Sequence, residues 1–515
     1  MGGWVGPVLE IERKYDADDD LVLPDLTRIS GVASVSVPEE LRLTATYLDT
    51  AERTLLDAGI TLRRRLGGHD EGWHLKLPAA DAEDERHELR LRAGRCGARV
   101  PERFRSTLAT LLGDRELVPV ATVVTNRTRR ELRNADGRCL AELVDDRVEA
   151  MAAGDGAPLA WRELEVELDA GDRVLLDHAE RRLLAAGARV AEHHTKLARV
   201  LGEPSSPPDR SALPHDPLSE LLRLRLESLV RALVLCDPLA REDLPDGVHA
   251  MRVTTRRLRS ALATGRPFLD HSVTEALRAE IAWLADVLGA ARDAEVMRER
   301  LAAALESVAG DGLHLAEDPV VRRGVLAPLE LSHRRAITEL NHALRSERYL
   351  ALVQWLREVV ADPPWKPRAG LTVRDGYRRR VAHDLRRLER LMAAADAEIG
   401  DSDAWSGTLH AARRAAKRAR YAMEPLRSGY GRPADDLVRA LKDLQTALGQ
   451  RQDTVVTRAY LLGLTDPDHR PRTGSATALV AGVIVERERV DAARCETEAI
   501  AAWRAVRESA EVFLR

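Results

Sequence analysis

Through the first two hundred residues, short stretches alternate charged and apolar residues one by one, and this alternation restricts the fold more than any other feature. The clearest are Glu10-Ile11-Glu12-Arg13-Lys14 and Glu163-Leu164-Glu165-Val166-Glu167. Successive strand side chains point to opposite faces, so Glu10, Glu12 and Lys14 share one face. Glu163, Glu165 and Glu167 share another, backed by Leu164, Val166 and Leu168. The pattern predicts strands at 7–15, 43–49, 59–66, 72–78, 85–91, 122–132, 138–148 and 161–168. Helical stretches fit at 50–57, 101–113 and 172–187. Eight strands suit a closed antiparallel barrel.

The same-face charges pool into sets of mostly one sign. Arg63 and Arg65, Lys76, and Arg127 and Arg129 are basic; Glu142 and Asp146 are acidic; Arg86, Glu88 and Arg90 are mixed. Solvated sheet faces usually carry Ser, Thr, Asn and Gln as well. Segregated like charges repel and need partners. A barrel with charge in its lumen and an apolar outer face covered by helices answers that need. A phosphate polyanion with a divalent cation would satisfy both signs. Arginine and lysine grip phosphate oxygens, and clustered carboxylates hold hard cations such as magnesium.

A chain of 515 residues exceeds one core and implies about two to four domains. Gly202–Pro217 holds five prolines in sixteen residues, which neither a helix nor a central strand accommodates. The reading is therefore an α+β domain at 1–202, a linker at 203–217 and an all-α domain at 218–515, with loops near 309–319, 361–371 and 464–475. A net charge of −4 gives no global basic field, so anion binding must be local. The basic residues lack interleaved aromatic stacking partners, which argues against nucleic acid. Cys96, Cys139, Cys236 and Cys495 form no CxxC motif. A reduced, cytoplasmic protein is expected, without a leader or membrane span.

These residues resemble the CYTH, or triphosphate tunnel metalloenzyme, superfamily. Its ExExK signature stands as Glu10, Glu12 and Lys14. Arg63 and Arg65 match its RxR strand, Lys76 in Trp73-His-Leu-Lys76 its lysine strand, and Arg86-His-Glu88 its RxE strand. Glu142 and Asp146 match an ExxxD pair, Glu163/Glu165/Glu167 the ExExE strand, and Thr195-Lys196 resembles the family's Ser-Lys. The resemblance covers about residues 5–202. It implies that Glu10, Glu12, Glu142, Asp146, Glu163, Glu165 and Glu167 supply ligands for one or two magnesium or manganese ions. It implies that Lys14, Arg63, Arg65, Lys76, Arg86, Arg127, Arg129 and Lys196 bind triphosphate. Lys14, Glu88 and Glu165 are the expected catalytic set, with the general base open between Glu88 and the Glu163–Glu167 strand. Two positions depart from the family: Arg90 stands where many members keep an acid, and Val148 replaces a frequent glycine.

The second half repeats itself. His249, Arg252, Arg256 and Arg259 recur 161 residues later as His410, Arg413, Lys417 and Arg420. Each block is followed by a Leu-Gly and then an Asp, at Leu288-Gly289 and Asp293 and at Leu448-Gly449 and Asp453. At about 100° per residue each quartet falls within about 80° of one helix face. No acid at i±4 neutralises these stripes. The spacing suggests two related helical bundles whose basic faces meet in one groove. The blocks resemble the CHAD domain over about residues 214–515, which implies polyphosphate binding by these eight residues.

The combined expectation is a metal-dependent inorganic triphosphatase tied to a polyphosphate-binding domain. The alternatives are a non-catalytic polyphosphate-binding protein, and another tunnel reaction such as thiamine triphosphate hydrolysis or adenylate cyclisation.

Overall fold

A computed structural model describes residues 4–79, 84–92, 99–154, 156–203, 213–397, 402–465 and 474–515. Cys96 and most of the proline-rich stretch lie outside them. Chain contacts divide the molecule into two compact units, Met1–Pro208 with Asp237–Gly247, and Asp209–Cys236 with Val248–Arg515.

In the first unit eight strands close into an antiparallel barrel: β1 Trp4–Ala17, β2 Glu39–Asp49, β3 Thr61–Leu66, β4 Gly72–Pro78, β5 Glu85–Arg92, β6 Val118–Arg133, β7 Cys139–Ala152 and β8 Leu159–Leu168. The order around the wall is β1-β5-β4-β3-β2-β6-β7-β8, and β8 returns to β1. Glu12 then sits opposite Glu167, and Lys14 opposite Glu165. Closure leaves no long unpaired edge. Two-residue strands at Ser34–Val35 and Arg189–Val190 add to β6 and β1, and the periodicity of such short segments did not reveal them.

The alternation in sequence sorts the two faces as expected. Outward-facing Tyr15, Leu132, Leu143, Leu164 and Val166 form a buried core with Leu175, Leu176, Ala179 and Leu183 of helix α1, Arg173–Ala185. Asp172 caps that helix through its side chain to Leu175 N, 3.0 Å away. The inward face changes character along the strands. At one end it carries the charges. Towards the other it becomes Ala45, Tyr47, Ala121, Val123, Val148 and Ala150, packed with Leu197 and Ala198 of α2, Lys196–Leu201. That apolar cluster fills the lumen beyond the charged layer.

Two helices differ from the reading of the sequence. The 50–57 segment is helical only at Thr54–Asp57, because the buried Asp49 carboxylate accepts from the amides of Thr50, Leu55 and Leu56 at 2.7–2.8 Å and holds the chain in a capped turn first. The 101–113 segment is two pieces, Glu102–Thr107 and Ala109–Leu112.

The second unit is helical, and the elements used below are α3 Gly247–Gly265, α4 His271–Gly310, α5 Ser402–Met423 and α6 Arg432–Thr465. The repeated blocks occupy α3 and α5, and the Leu-Gly segments occupy α4 and α6. No helix among the described residues is long and apolar enough to cross a membrane. Cys139, Cys236 and Cys495 are free thiols.

Candidate functional site in the barrel lumen

The charged layer surrounds a cavity of ≈ 450 Å³, with Glu10, Glu12, Lys14, Arg63, Arg65, Lys76, Arg127 and Lys196 among its walls. Each reaches it because it lies on the inward parity of its strand, except Lys196, which begins α2. Thr195 caps α2 by accepting from Ala198 N at 3.0 Å, which turns the Lys196 side chain into the barrel.

Asp146, Glu163 and Glu165 form the tightest acidic group, each offering a carboxylate oxygen within 4.8 Å of the others. Lys196 Nζ lies 2.9, 2.6 and 2.8 Å from these three carboxylates. Arg127 holds Asp146 through two bonds of 2.8 and 2.7 Å and reaches Glu165 at 3.2 Å. Lys14 pairs with Glu165 and, at 3.2 Å, with Glu12. Burial alone would raise the Glu165 carboxyl, but Lys14, Lys196 and Arg127 hold it well below the usual carboxylate range. The reciprocal effect lifts Lys196 well above the ordinary lysine value despite its burial. Three carboxylate oxygen donors at this spacing suit a hard divalent cation.

The remaining predicted ligands have other partners. Glu10 pairs with Lys76 at 2.5 Å and with Arg90 at 2.7 Å. Arg90 also binds Glu88, so the departure from the family noted above places a fixed cation beside these two acids. Glu142 is bound by Arg129, whose other contacts are Glu39 at 3.2 Å and Glu131 at 2.9 Å. Glu167 lies opposite Glu12 on one side and Glu142 on the other. Burial and then the charge of Glu10 push the Glu167 carboxyl up to about 7.

Glu88 is fully buried and is held from several sides. His74 Nδ1 lies 3.0 Å from it and Arg63 3.7 Å. Burial pushes the Glu88 carboxyl up, and Lys76 and His74 reverse this, leaving it well below its usual range. His74 itself is driven down to about 3, chiefly by burial. It escaped the reading of the sequence, although its inward parity with Lys76 on one strand was the available signal. Arg65, paired with Asp70, is lowered to about 9 by burial and then by Arg63 and Arg127. Arg86 lines the cavity but donates to Gly59 O at 3.0 Å.

In the helical unit the two repeated faces meet. Arg252 and its repeat equivalent Arg413 lie close enough for their charges to interact, as do Arg256 and its equivalent Lys417. Gly289 and Gly449 leave room for the two guanidinium groups; a Cβ at Gly449 would lie 3.1 Å from Arg413 Nη2. Arg252 is paired with Asp293 at 2.8 Å. Arg256, Arg413 and Lys417 make no ion pair with a carboxylate among the described residues. Burial, then Arg413 and Arg256, brings Lys417 down to about 7. Arg420 instead turns towards Glu424, which also holds Arg225 at 2.6 Å and Arg257 at 3.2 Å. Arg259 lies one turn beyond Arg256 on α3, and both are half-buried. His410 is hydrogen-bonded to Gln452 of α6, a helix-to-helix contact. His249 occupies the equivalent place on α3.

A closed barrel whose lumen pairs basic side chains with a compact carboxylate group defines a tunnel protein of the CYTH class. The chain belongs to the CYTH–CHAD fusions: the CYTH domain matches residues 9–199 and the CHAD domain residues 224–462. "Uncharacterized protein Rv2226" of Mycobacterium tuberculosis (strain ATCC 25618 / H37Rv) is 34% identical over 516 residues, covering 96% of each chain. Among solved structures, PptA from Streptomyces chartreusis is 23% identical with a TM-score of 0.47, over 56% of this chain and 100% of that one. The CHAD domain from the plant Ricinus communis is 23% identical with a TM-score of 0.41, over 59% and 94%.

Proposed function

We propose that the barrel is a divalent-metal-dependent triphosphatase acting on inorganic tripolyphosphate, and that the helical unit binds polyphosphate. The observation that carries the first part is one cavity in which Lys14, Arg127 and Lys196 neutralise Asp146, Glu163 and Glu165, while Arg63, Arg65 and Lys76 stand along the same wall. A magnesium or manganese ion held by Asp146, Glu163 and Glu165 would neutralise charge on the phosphate oxygens. Lys14, Arg127 and Lys196 would then be free to turn to the phosphate chain. Arg63, Arg65 and Lys76 extend the basic wall along it.

Phosphoryl transfer of this kind needs position and charge neutralisation more than covalent help. The oxygen of water bonds to the terminal phosphorus, the anhydride P–O bond breaks, and its electron pair leaves with pyrophosphate. Water's proton passes to a carboxylate. Glu167 suits that role best: it lines the cavity, and its carboxyl near 7 matches the working range of a general base. Glu165, fully engaged with three cations, is a poor base. Glu88 lies behind His74 and Arg90 and reads as a positioning residue for Arg63.

The meeting of the two basic faces, with Arg413, Arg256 and Arg252 all acting on Lys417, supports the second part. The shared chain would raise the local concentration of phosphate polymer near the tunnel. The test is phosphate release from tripolyphosphate, longer polyphosphate, ATP and thiamine triphosphate with Mg²⁺ or Mn²⁺. Tripolyphosphate should be cleaved, and Glu165→Gln should lower turnover by about 100-fold. Absence of turnover on every substrate refutes the enzymatic reading. Polyphosphate affinity of the full chain should fall on removing the charges of Arg252, Arg256, Arg413 and Lys417 together, and unchanged affinity would relocate that site.

A further inference from the structure

The two repeated faces of the helical unit carry a further pair of residues. At about 100° per residue, Tyr421 falls one turn beyond Lys417 on the basic face of α5, and Ser260 one turn beyond Arg256 on that of α3. The two positions are equivalent, 161 residues apart, and each extends its basic stripe with a hydroxyl. Both side chains are buried, Tyr421 at 5% exposure and Ser260 at 9%. Neither hydroxyl has a hydrogen-bond partner among the described residues. A buried O–H left unpaired costs stability, and native structures keep few of them. Tyr421 is also held in place. The Arg420 guanidinium lies over its ring at 4.8 Å and that of Arg257 at 5.7 Å. Both arginines pair with Glu424, at 4.0 and 3.2 Å. The phenol lies close enough to Arg256 and Arg413 to act on their charges. Those two arginines come from different repeats and make no ion pair with a carboxylate among the described residues.

We propose that Tyr421, with Ser260 as its counterpart, donates its hydroxyl to an oxygen of a bound phosphate chain lying between the arginines of the two repeats. This deepens the reading of the helical unit as a polyphosphate site and rests on it. Arg256 and Arg413 are free to turn to an anion, and as they turn the hydroxyl beside them meets the same phosphate. Clamped by Arg257 and Arg420, the phenol ring loses little further freedom on binding. The site then has two kinds of donor. Arginine and lysine act through charge and counterion release, which salt weakens. A neutral hydroxyl adds a directed bond without adding to the number of neutralised phosphates. Tyr421 carries the larger share, because its charged neighbours come from both repeats.

The test uses the full chain in metal-free buffer, where the cations of the barrel stay paired with its own acids. Affinity for long-chain inorganic polyphosphate is measured across a series of salt concentrations. The proteins compared are the wild type, Tyr421→Phe, Ser260→Ala and the variant lacking the charges of Arg252, Arg256, Arg413 and Lys417. Phenylalanine keeps the ring beneath Arg420 and removes only the hydroxyl. Tyr421→Phe should weaken binding about tenfold, as expected for losing a hydrogen bond to a charged group. The slope of log Kd against log salt should not change, since no phosphate charge loses its partner. Without polyphosphate, the variant's melting temperature should hold or rise by about 2 °C, because an unpaired buried hydroxyl is gone. Ser260→Ala should show the same signs with a loss of about threefold, and it decides the matter if Tyr421→Phe fails to fold. Full affinity in Tyr421→Phe overturns the proposal. So does a loss that comes with a lower melting temperature, which marks a packing role, or with a flatter salt slope, which marks displaced arginines. If the variant without the four charges binds like the wild type, the polyphosphate reading of this face falls and takes the proposal with it. If that variant binds weakly while both hydroxyl variants bind fully, only the hydroxyl assignment is lost.

Discussion

Lys196→Met removes one buried cation from three carboxylates and isolates the main electrostatic claim about the tunnel. Lys196 lies within 2.6–2.9 Å of Asp146, Glu163 and Glu165, and all four side chains are buried. Arg127 and Lys14 remain, so three acids keep two cations. Breaking a buried pair from one side costs about 3–5 kcal/mol, because the stranded charge keeps its desolvation penalty. For a domain of this size each kcal/mol moves Tm by about 2–4 °C, so the barrel transition should fall by roughly 6–20 °C. The sign with pH follows from Glu165 and Asp146. Both carboxyls lie below their unfolded values in the native protein, so their contribution is present above the unfolded value near 4 and is lost as pH falls through the folded one. The gap between wild type and variant should therefore close below about pH 4. Magnesium supplies the missing charge at the same carboxylates, so it should raise the variant's melting temperature more than the wild type's. The assay is thermal melting by circular dichroism with and without Mg²⁺, with the barrel transition assigned by hydrogen exchange in β7 and β8 peptides. A variant that melts with the wild type, or gains no more than the wild type from the metal, refutes this account of the site.

Three further outcomes are expected. Leu164→Ala, in the fully buried outer core, should destabilise the barrel by about 2–5 kcal/mol in chemical denaturation. Its phosphate release at 25 °C should stay near wild type if the outer face only supports the lumen. Arg90→Leu removes the fixed cation from Glu10 and Glu88, and calorimetry should show Mg²⁺ binding about tenfold tighter, since one positive charge no longer competes; an unchanged Kd counts against that competition. In the helical unit, burial and then Arg413, Arg256 and Arg252 bring Lys417 down to about 7, against the opposing pull of Asp453. A bound polyanion restores that proton, so polyphosphate affinity should fall as pH rises above 7, and Lys417→Met should flatten the dependence; a wild-type affinity independent of pH between 6 and 9 would contradict it.

The barrel was legible because its lumen and its outer face alternate at the strand period. Leu164 and Val166 could be assigned to a core before any neighbour was known, since the acids between them had to face elsewhere. What the alternation could not supply was which charge meets which. Glu142 and Glu163 look alike in sequence, but the register of β6 against β7 puts Arg129 beside Glu142, while the start of α2 brings Lys196 onto Glu163. Arg90 read as a mere departure from the family until its contacts with Glu10 and Glu88 gave it a charge-balancing place. The repeat in the second half was legible by the same logic of spacing. The division of labour within it was not: Arg420 shares the stripe of Lys417, yet turns to Glu424, a residue outside the repeated pattern.

These pairings bear on selectivity. In the tunnel nearly every charge among the described residues has a partner of opposite sign, so a ligand enters only by exchanging partners. A bare anion that drew Lys14, Arg127 and Lys196 to itself would strand Asp146, Glu163 and Glu165 in a buried site. A bare cation would strand the lysines and arginine in the same way. Each stranded buried charge costs several kcal/mol, whereas a cation and an anion arriving together re-pair both sets. The lumen is therefore complementary to a metal–phosphate pair rather than to either component, and the segregation of acids and bases onto different strands is what makes that joint exchange possible. Metal and tripolyphosphate should consequently bind with positive coupling, each lowering the other's apparent Kd by the same factor, which calorimetric titration of one in the presence and absence of the other measures directly. Independent binding of the two would mean that the ion pairs seen in the lumen are retained when ligands are bound.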